Sequence, residues 1–134
     1  MVKEAVLNVA RYDLDGVREA LLAGDVARLT RTLDGVQQEG EAPPLVLWAM
    51  TEEVRALAQV KAAQSAGQAL DAAIKEARVW GARQALFKRA VQRIDSGRAQ
   101  AALVHAAKID RLIKGAGGAG DLWDEFLRLG LQLC

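Results

Sequence analysis

The sequence predicts an all-α protein that forms a single helical bundle of about six to seven helices. Apolar residues recur three and four positions apart along most of the 134 residues, which is the spacing of one helix face. Glycine and proline occur in short breaks between these stretches. Hydrophobic residues make up 51% of the chain, a share too high for a disordered protein. Because much of this share is alanine, we expect a thin core.

The N-terminal part predicts a short helical stretch at 2–12, followed by a helical hairpin. Asp13 is suited to cap a helix that continues through Leu22, and Gly24 is suited to end it. Asp25 then caps a second helix, in which the apolar positions are three and four residues apart. These positions are Val26, Leu29, Leu33 and Val36.

The middle of the chain predicts one long helix. Pro43 and Pro44 follow a glycine-containing break and suit the first turn of a helix, where no N–H group is needed. We expect this helix to end near 65–67. Its apolar stripe consists of Leu47, Met50, Val54 and Leu57, with Trp48 beside it.

The C-terminal part predicts four more helices. We expect a short helix at 70–77, a turn at 79–81, a basic amphipathic helix at 82–94, a break at 95–97 and a long helix at 98–114. Asp121 is suited to cap the last helix.

Charge and cysteine content exclude several classes of protein. The net charge of +1 gives no general attraction to nucleic acid or to an anionic membrane. Cys134 is the single cysteine, so no internal disulfide forms, as expected in a reducing cytosol. No apolar run approaches the ~20 residues of a membrane helix, and no secretory signal is visible.

A glycine-rich segment at 115–120 matches the letters of a dinucleotide-binding motif, G-x-G-x-x-G. That motif requires a preceding strand and an acidic residue about 20 positions later, whereas here a helix precedes it and the chain ends too soon. Asp121 also stands where a phosphate loop would have lysine. We therefore interpret the segment as a loop between helices.

The residues for catalysis or metal binding are missing from the sequence. His105 is the only histidine, no cysteine-histidine cluster exists, and the serine and threonine hydroxyls are scattered. The adjacent pair Glu52 and Glu53 is interpreted as part of a solvated face. We therefore expect a non-enzymatic chain without metal, cofactor or small-molecule substrate.

Asp110 is a charged residue on an apolar helix stripe with Leu103, Ala106 and Ile113. A charge in that position needs a partner. We predict a partly buried structural ion pair of Asp110 with Arg83 or Arg55, because an arginine fork suits a carboxylate.

Basic residues cluster on the predicted helix at 82–94 and at the start of the next helix. The cluster consists of Arg83, Lys88, Arg89, Arg93 and Arg98. One interpretation is solubility with local ion pairs. The other is contact with DNA phosphates by Lys88, Arg89 and Arg93.

The last helix has apolar residues on most of its sides. Such a helix is buried on most sides, either inside its own domain or against another subunit. For the second case the candidate interface residues are Trp123, Phe126, Leu127 and Leu131.

Four segments in a fixed order carry a family resemblance. They are PPLVLW at 43–48, ARVWGARQALF at 77–87, IDRLIKG at 109–115 and DLW at 121–123. In this order and spacing the chain, from about Leu14 to its end, resembles the C-terminal domain of the bacterial DNA polymerase III delta subunit, a clamp-loader protein.

The resemblance implies a fold of the clamp-loader collar type, with a C-terminal collar domain at 14–134 and a linker or tail of a preceding domain at 1–13. It implies a non-catalytic domain that holds the clamp-loader pentamer together through delta-prime and gamma/tau. Contact with primed DNA would be indirect, and the sliding clamp would bind the N-terminal part, absent here. The implied location is the cytoplasmic replisome, at the nucleoid.

Overall fold

The computed structural model describes residues 14–115 and 121–134. Residues 14–23 form helix α1. The other helices are α2 (Val26–Gln38), α3 (Pro43–Ser65), α4 (Leu70–Glu76), α5 (Arg83–Arg93), α6 (Ser96–Ile113) and α7 (Leu122–Leu131). The described residues contain no strand, and the all-α prediction is confirmed. The predicted helix at 2–12, the cap Asp13 and loop residues 116–120 lie outside the described residues.

Side-chain caps fix the beginnings of three helices. Asp25 and Asp121 act as predicted, each accepting hydrogen bonds from backbone N–H groups of the following first turn. Asp95 does the same for α6, where its Oδ1 accepts from the Arg98 N–H at 2.7 Å. Helix α6 therefore begins at Ser96, two residues before the predicted start, because the predicted break contains the cap itself.

Helix α3 is central, packing most extensively on α6 and also contacting α4 and α5. Helix α7 packs on α2 and α6. Every helix contributes a fully buried side chain to one continuous core, for example Leu21, Leu29, Met50, Ile74, Phe87, Ile109 and Phe126. None of the described helices combines the length and apolar character needed to cross a bilayer.

Candidate subunit-docking surfaces

Glu53 is a charged side chain in the core, only 1% exposed. Its Oε1 accepts hydrogen bonds from Arg18 of α1 at 3.1 Å and from Arg83 at the start of α5. The interpretation of Glu53 as part of a solvated face is therefore wrong. The sequence does indicate that Glu53 is buried, since it lies three residues after Met50 and four before Leu57, on the stripe assigned to the core.

Asp110 has a different partner from the predicted one. Its carboxylate pairs with Lys114, one turn further along α6, at 2.8 Å. Arg83 pairs with Glu53 instead, and Arg55 is exposed and forms no hydrogen bond or ion pair with residues 14–115 or 121–134. Lys114 lies four residues after Asp110 on the same helix, so their side chains can meet whatever the packing of the other helices, and this explains why the local pair forms.

Trp48 forms one wall of a groove between α3 and α6, which we call the Trp48 groove. Its cavity of about 340 Å³ has Leu47, Leu103 and Ala106 among its lining residues, and it also contains Arg55 and Asp110. Trp48 itself is 56% exposed. The Arg18 guanidinium lies 4.9 Å from the centre of the Trp48 ring, a cation–π distance.

Helix α7 divides the predicted interface residues into a buried and an accessible set. Phe126 is fully buried, so it contributes to the core and cannot serve as a docking anchor. Trp123 and Leu127 are half-buried, whereas Leu131 is 44% exposed. Because these three follow one another at intervals of four, they share one side of the helix, which we call the α7 surface.

The α7 surface continues into a groove against α2. Trp123 and Leu127 line this groove together with Leu33 of α2, and its charged lining residues are Arg31, Asp34, Asp121 and Asp124. The Trp123 ring meets Phe126 edge-on, with ring centres 5.2 Å apart. Trp123 is thus fixed in orientation by the core residue beside it while part of its ring stays accessible.

The three candidate DNA-contact residues have different environments. Arg93 is hydrogen-bonded, since its Nη2 donates to the carbonyl oxygens of Leu22 and Leu133 at 3.2 and 3.0 Å. Lys88 forms an ion pair with Asp71 at 2.9 Å, and its hydrogen bond lowers the pKa of the Asp71 carboxyl. Arg89 is exposed and forms no hydrogen bond or ion pair with the described residues. Of the three, Arg89 is thus the one without a partner among residues 14–115 and 121–134.

The C-terminus is held by basic side chains. Arg98 donates a hydrogen bond to the Cys134 carbonyl oxygen at 3.0 Å. Burial raises the pKa of the Cys134 thiol, although the nearby Arg93 and Arg98 act in the opposite direction. The end of the chain is thus attached to α5 and α6.

His105 joins α6 to the C-terminal region. Its Nδ1 accepts a hydrogen bond from the Gln132 amide at 2.7 Å, and its Nε2 donates to the Glu125 carboxylate at 3.0 Å in the corresponding tautomer. The two hydrogen bonds thus attach α6 to α7 through Glu125 and to the segment after α7 through Gln132. Among residues 14–115 and 121–134, no three histidine, cysteine or acidic side chains come together as a metal site.

Comparison with known families gives a match over most of the chain. The family described as "Processivity clamp loader gamma complex DNA pol III C-term" matches residues 16–134. Comparison with curated proteins finds no match. The family match covers all the helices from α2 to α7 and therefore both surfaces described above.

Proposed function

The chain belongs to the C-terminal domain family of the DNA polymerase III clamp-loader gamma complex, and on this premise we propose that it is the collar domain of a delta subunit. In this role it holds the clamp-loader pentamer together during loading of the sliding clamp. The family match over residues 16–134 is the observation that carries the proposal. The domain is proposed to span residues 14–134, with residues 1–13 as the linker to a preceding domain.

The proposed partners are delta-prime and gamma/tau, and the proposed contact is the α7 surface. Trp123, Leu127 and Leu131 offer partly exposed apolar area on one side of a well-packed helix. Large apolar side chains held in place by a core are the usual anchors of a subunit interface. The domain itself is proposed to be non-catalytic, acting in the cytoplasm at the replisome.

Size-exclusion chromatography with light scattering tests the proposal. The chain is measured alone, then mixed with the collar domains of delta-prime and of gamma/tau. A stable mixed complex is expected, and Leu131→Asp is expected to weaken it at least about tenfold, because the change places an uncompensated charge at a subunit interface. Val104→Asp is the matched control, since Val104 is an exposed apolar residue on α6.

Direct DNA binding is the alternative that the same samples distinguish. If the chain ignores the clamp-loader partners but binds primed DNA with strong salt dependence, the collar proposal fails. In that case Arg89→Ala should reduce binding, since Arg89 is the basic side chain of α5 without a partner in the described structure.

A further inference from the structure

We propose that the Trp48 groove is a second docking site, separate from the α7 surface. Its occupant is an amphipathic helix of a neighbouring clamp-loader subunit that places a carboxylate opposite Arg55. This proposal rests on the proposed function and deepens it by assigning the two surfaces to two different neighbours.

The groove offers an apolar surface that this chain leaves uncovered. Trp48, one of the residues that line the groove, is 56% exposed. Leu47 and Leu103 continue the apolar lining between the helices, and Ala106 and Ala107 occupy the α6 side. The alanines have short side chains, so a helix backbone can approach closely, as in helix-in-groove recognition.

Trp48 is held in place before any partner arrives. Arg18 contacts the ring and at the same time forms ion pairs with Glu52 at 3.0 Å and Glu53 at 3.1 Å. Because Glu53 is anchored in the core and also binds Arg83, this arrangement ties α1, α3 and α5 together. A side chain that is already ordered loses little conformational entropy on binding, which favours its use as an anchor.

The charges of the groove indicate an acidic partner. Glu52 is paired with Arg18, and Asp110 is paired with Lys114. Arg55, one turn from Glu52 on α3, has no hydrogen bond or ion pair within the described residues. It is therefore the uncompensated charge among the charged groove residues, and an aspartate or glutamate beside the apolar stripe of the incoming helix would complement it.

A subunit that lies between two neighbours in the proposed pentamer needs a second contact surface. In a head-to-tail assembly it contacts its two neighbours through two different patches, because head-to-tail interfaces are heterologous. The α7 surface lies on the α2 and α7 pair, whereas the Trp48 groove lies on the α3 and α6 pair. The two patches share no residue, so each neighbour can have its own.

Pairwise binding assays with the whole chain test the assignment. Affinities for delta-prime and for gamma/tau are measured for Trp48→Ala, Arg55→Glu and Leu131→Asp. Trp48→Ala and Arg55→Glu are expected to raise the Kd for one neighbour at least about tenfold, and Leu131→Asp to do so for the other neighbour. Trp80→Ala is the control, because Trp80 is 59% exposed but lies outside the groove.

Charge exchange provides a second, independent readout. In the neighbour whose binding is weakened, each surface aspartate or glutamate is changed singly to lysine. One of these lysine variants is expected to restore binding to the Arg55→Glu variant of this chain. Circular dichroism of each variant checks that the helices are intact, which is expected because Trp48 and Arg55 are exposed.

Four results would overturn the proposal. If Trp48→Ala and Arg55→Glu bind both neighbours as wild type does, the groove is not a docking site, although the collar function stands. If they weaken the same neighbour as Leu131→Asp, the two surfaces are not separate. Self-association of the chain that Trp48→Ala abolishes would identify a second copy as the occupant, and oligonucleotide binding lost in Arg55→Glu would identify nucleic acid. Failure of the wild-type chain to bind either neighbour would instead refute the proposed function.

Discussion

Glu53 shows how one buried charge can organise several helices. It is buried on α3, yet its carboxylate receives guanidinium groups from α1 and from the start of α5. Removing one partner of a buried pair leaves the other charges uncompensated, which costs more than the pair contributes when intact. The residue therefore specifies how the helices meet, and through Arg18 it also orients Trp48.

Glu53→Gln is expected to lower the free energy of unfolding by about 2–4 kcal/mol, because Arg18 and Arg83 lose their shared carboxylate in a buried site. Glu52→Gln is the matched control, since its side chain is 45% exposed and it too pairs with Arg18. Glu52→Gln should lower the free energy of unfolding by less than about 1 kcal/mol. Urea unfolding measures both, and equal losses would contradict the central role assigned to Glu53.

The sequence was least successful in predicting which side chains contact each other. The structural ion pair was predicted at Asp110 with Arg83 or Arg55, whereas Arg83 pairs with Glu53 and Asp110 pairs with Lys114. Phe126 and Trp123 likewise belong to one apolar helix, and the sequence could not divide them between core and surface. In both cases the answer depends on which side of the helix meets its neighbours, a property of the tertiary packing.

At the scale of elements, the contact of α7 with α2 depends on Gly130. An added Cβ at Gly130 would lie 2.2 Å from Leu29 Cδ2, and Leu29 is fully buried. The glycine thus permits the close approach of α2 and α7, the two helices on either side of the groove that Trp123 lines. Gly35 in α2 is also helical, but an added Cβ there meets no atom within 4 Å.

Alanine substitutions at the two glycines are expected to change the free energy of unfolding in opposite directions. Gly130→Ala is expected to destabilise the protein by about 1–3 kcal/mol through overpacking against Leu29. Gly35→Ala is expected to stabilise it by about 0.5–1 kcal/mol, because alanine favours the helix and meets no obstacle. Thermal or urea unfolding of both variants checks the signs, and a stabilising Gly130→Ala would refute the close packing.

Arg93 connects the ends of elements rather than serving as a free cation. Arg93→Met keeps much of the side-chain length but removes the donors to the Leu22 and Leu133 carbonyls, and should cost about 1–3 kcal/mol. Arg89→Met on the same helix should change stability by less than about 0.5 kcal/mol. Urea unfolding of both variants measures the difference. Equal stability of the two variants would mean that the hydrogen bonds of Arg93 to Leu22 and Leu133 do not stabilise the fold.

Element positions could be predicted because their signals are local. Pro43 begins α3 as expected, and Asp25 and Asp121 cap the helices assigned to them. Asp95 was taken as part of a break although it is a cap, which displaced the predicted start of α6 by two residues. Local capping chemistry thus determines where helices begin. Which side of each helix is buried depends on the packing of the whole fold.

At the scale of the whole molecule, one core supports two separate surfaces. The buried cluster runs without interruption from Leu21 in α1 to Leu129 in α7. The Trp48 groove and the α7 surface are therefore parts of one packed body. For the pentamer subunit proposed above this continuity matters, because the rigidity with which the two surfaces are joined would set the angle between its two neighbours.

A continuous core predicts a single cooperative unfolding transition. Leu21→Ala in α1 and Leu129→Ala in α7 should each lower the stability by about 2–5 kcal/mol, because both side chains are fully buried. Each should shift the whole transition, so helix content from circular dichroism and tryptophan fluorescence should change together. Leu45→Ala is the exposed control and should shift it little. If Leu129→Ala released α7 in a separate early transition, the two proposed docking surfaces would be independently mobile, and the chain could not fix the angle between its proposed neighbours.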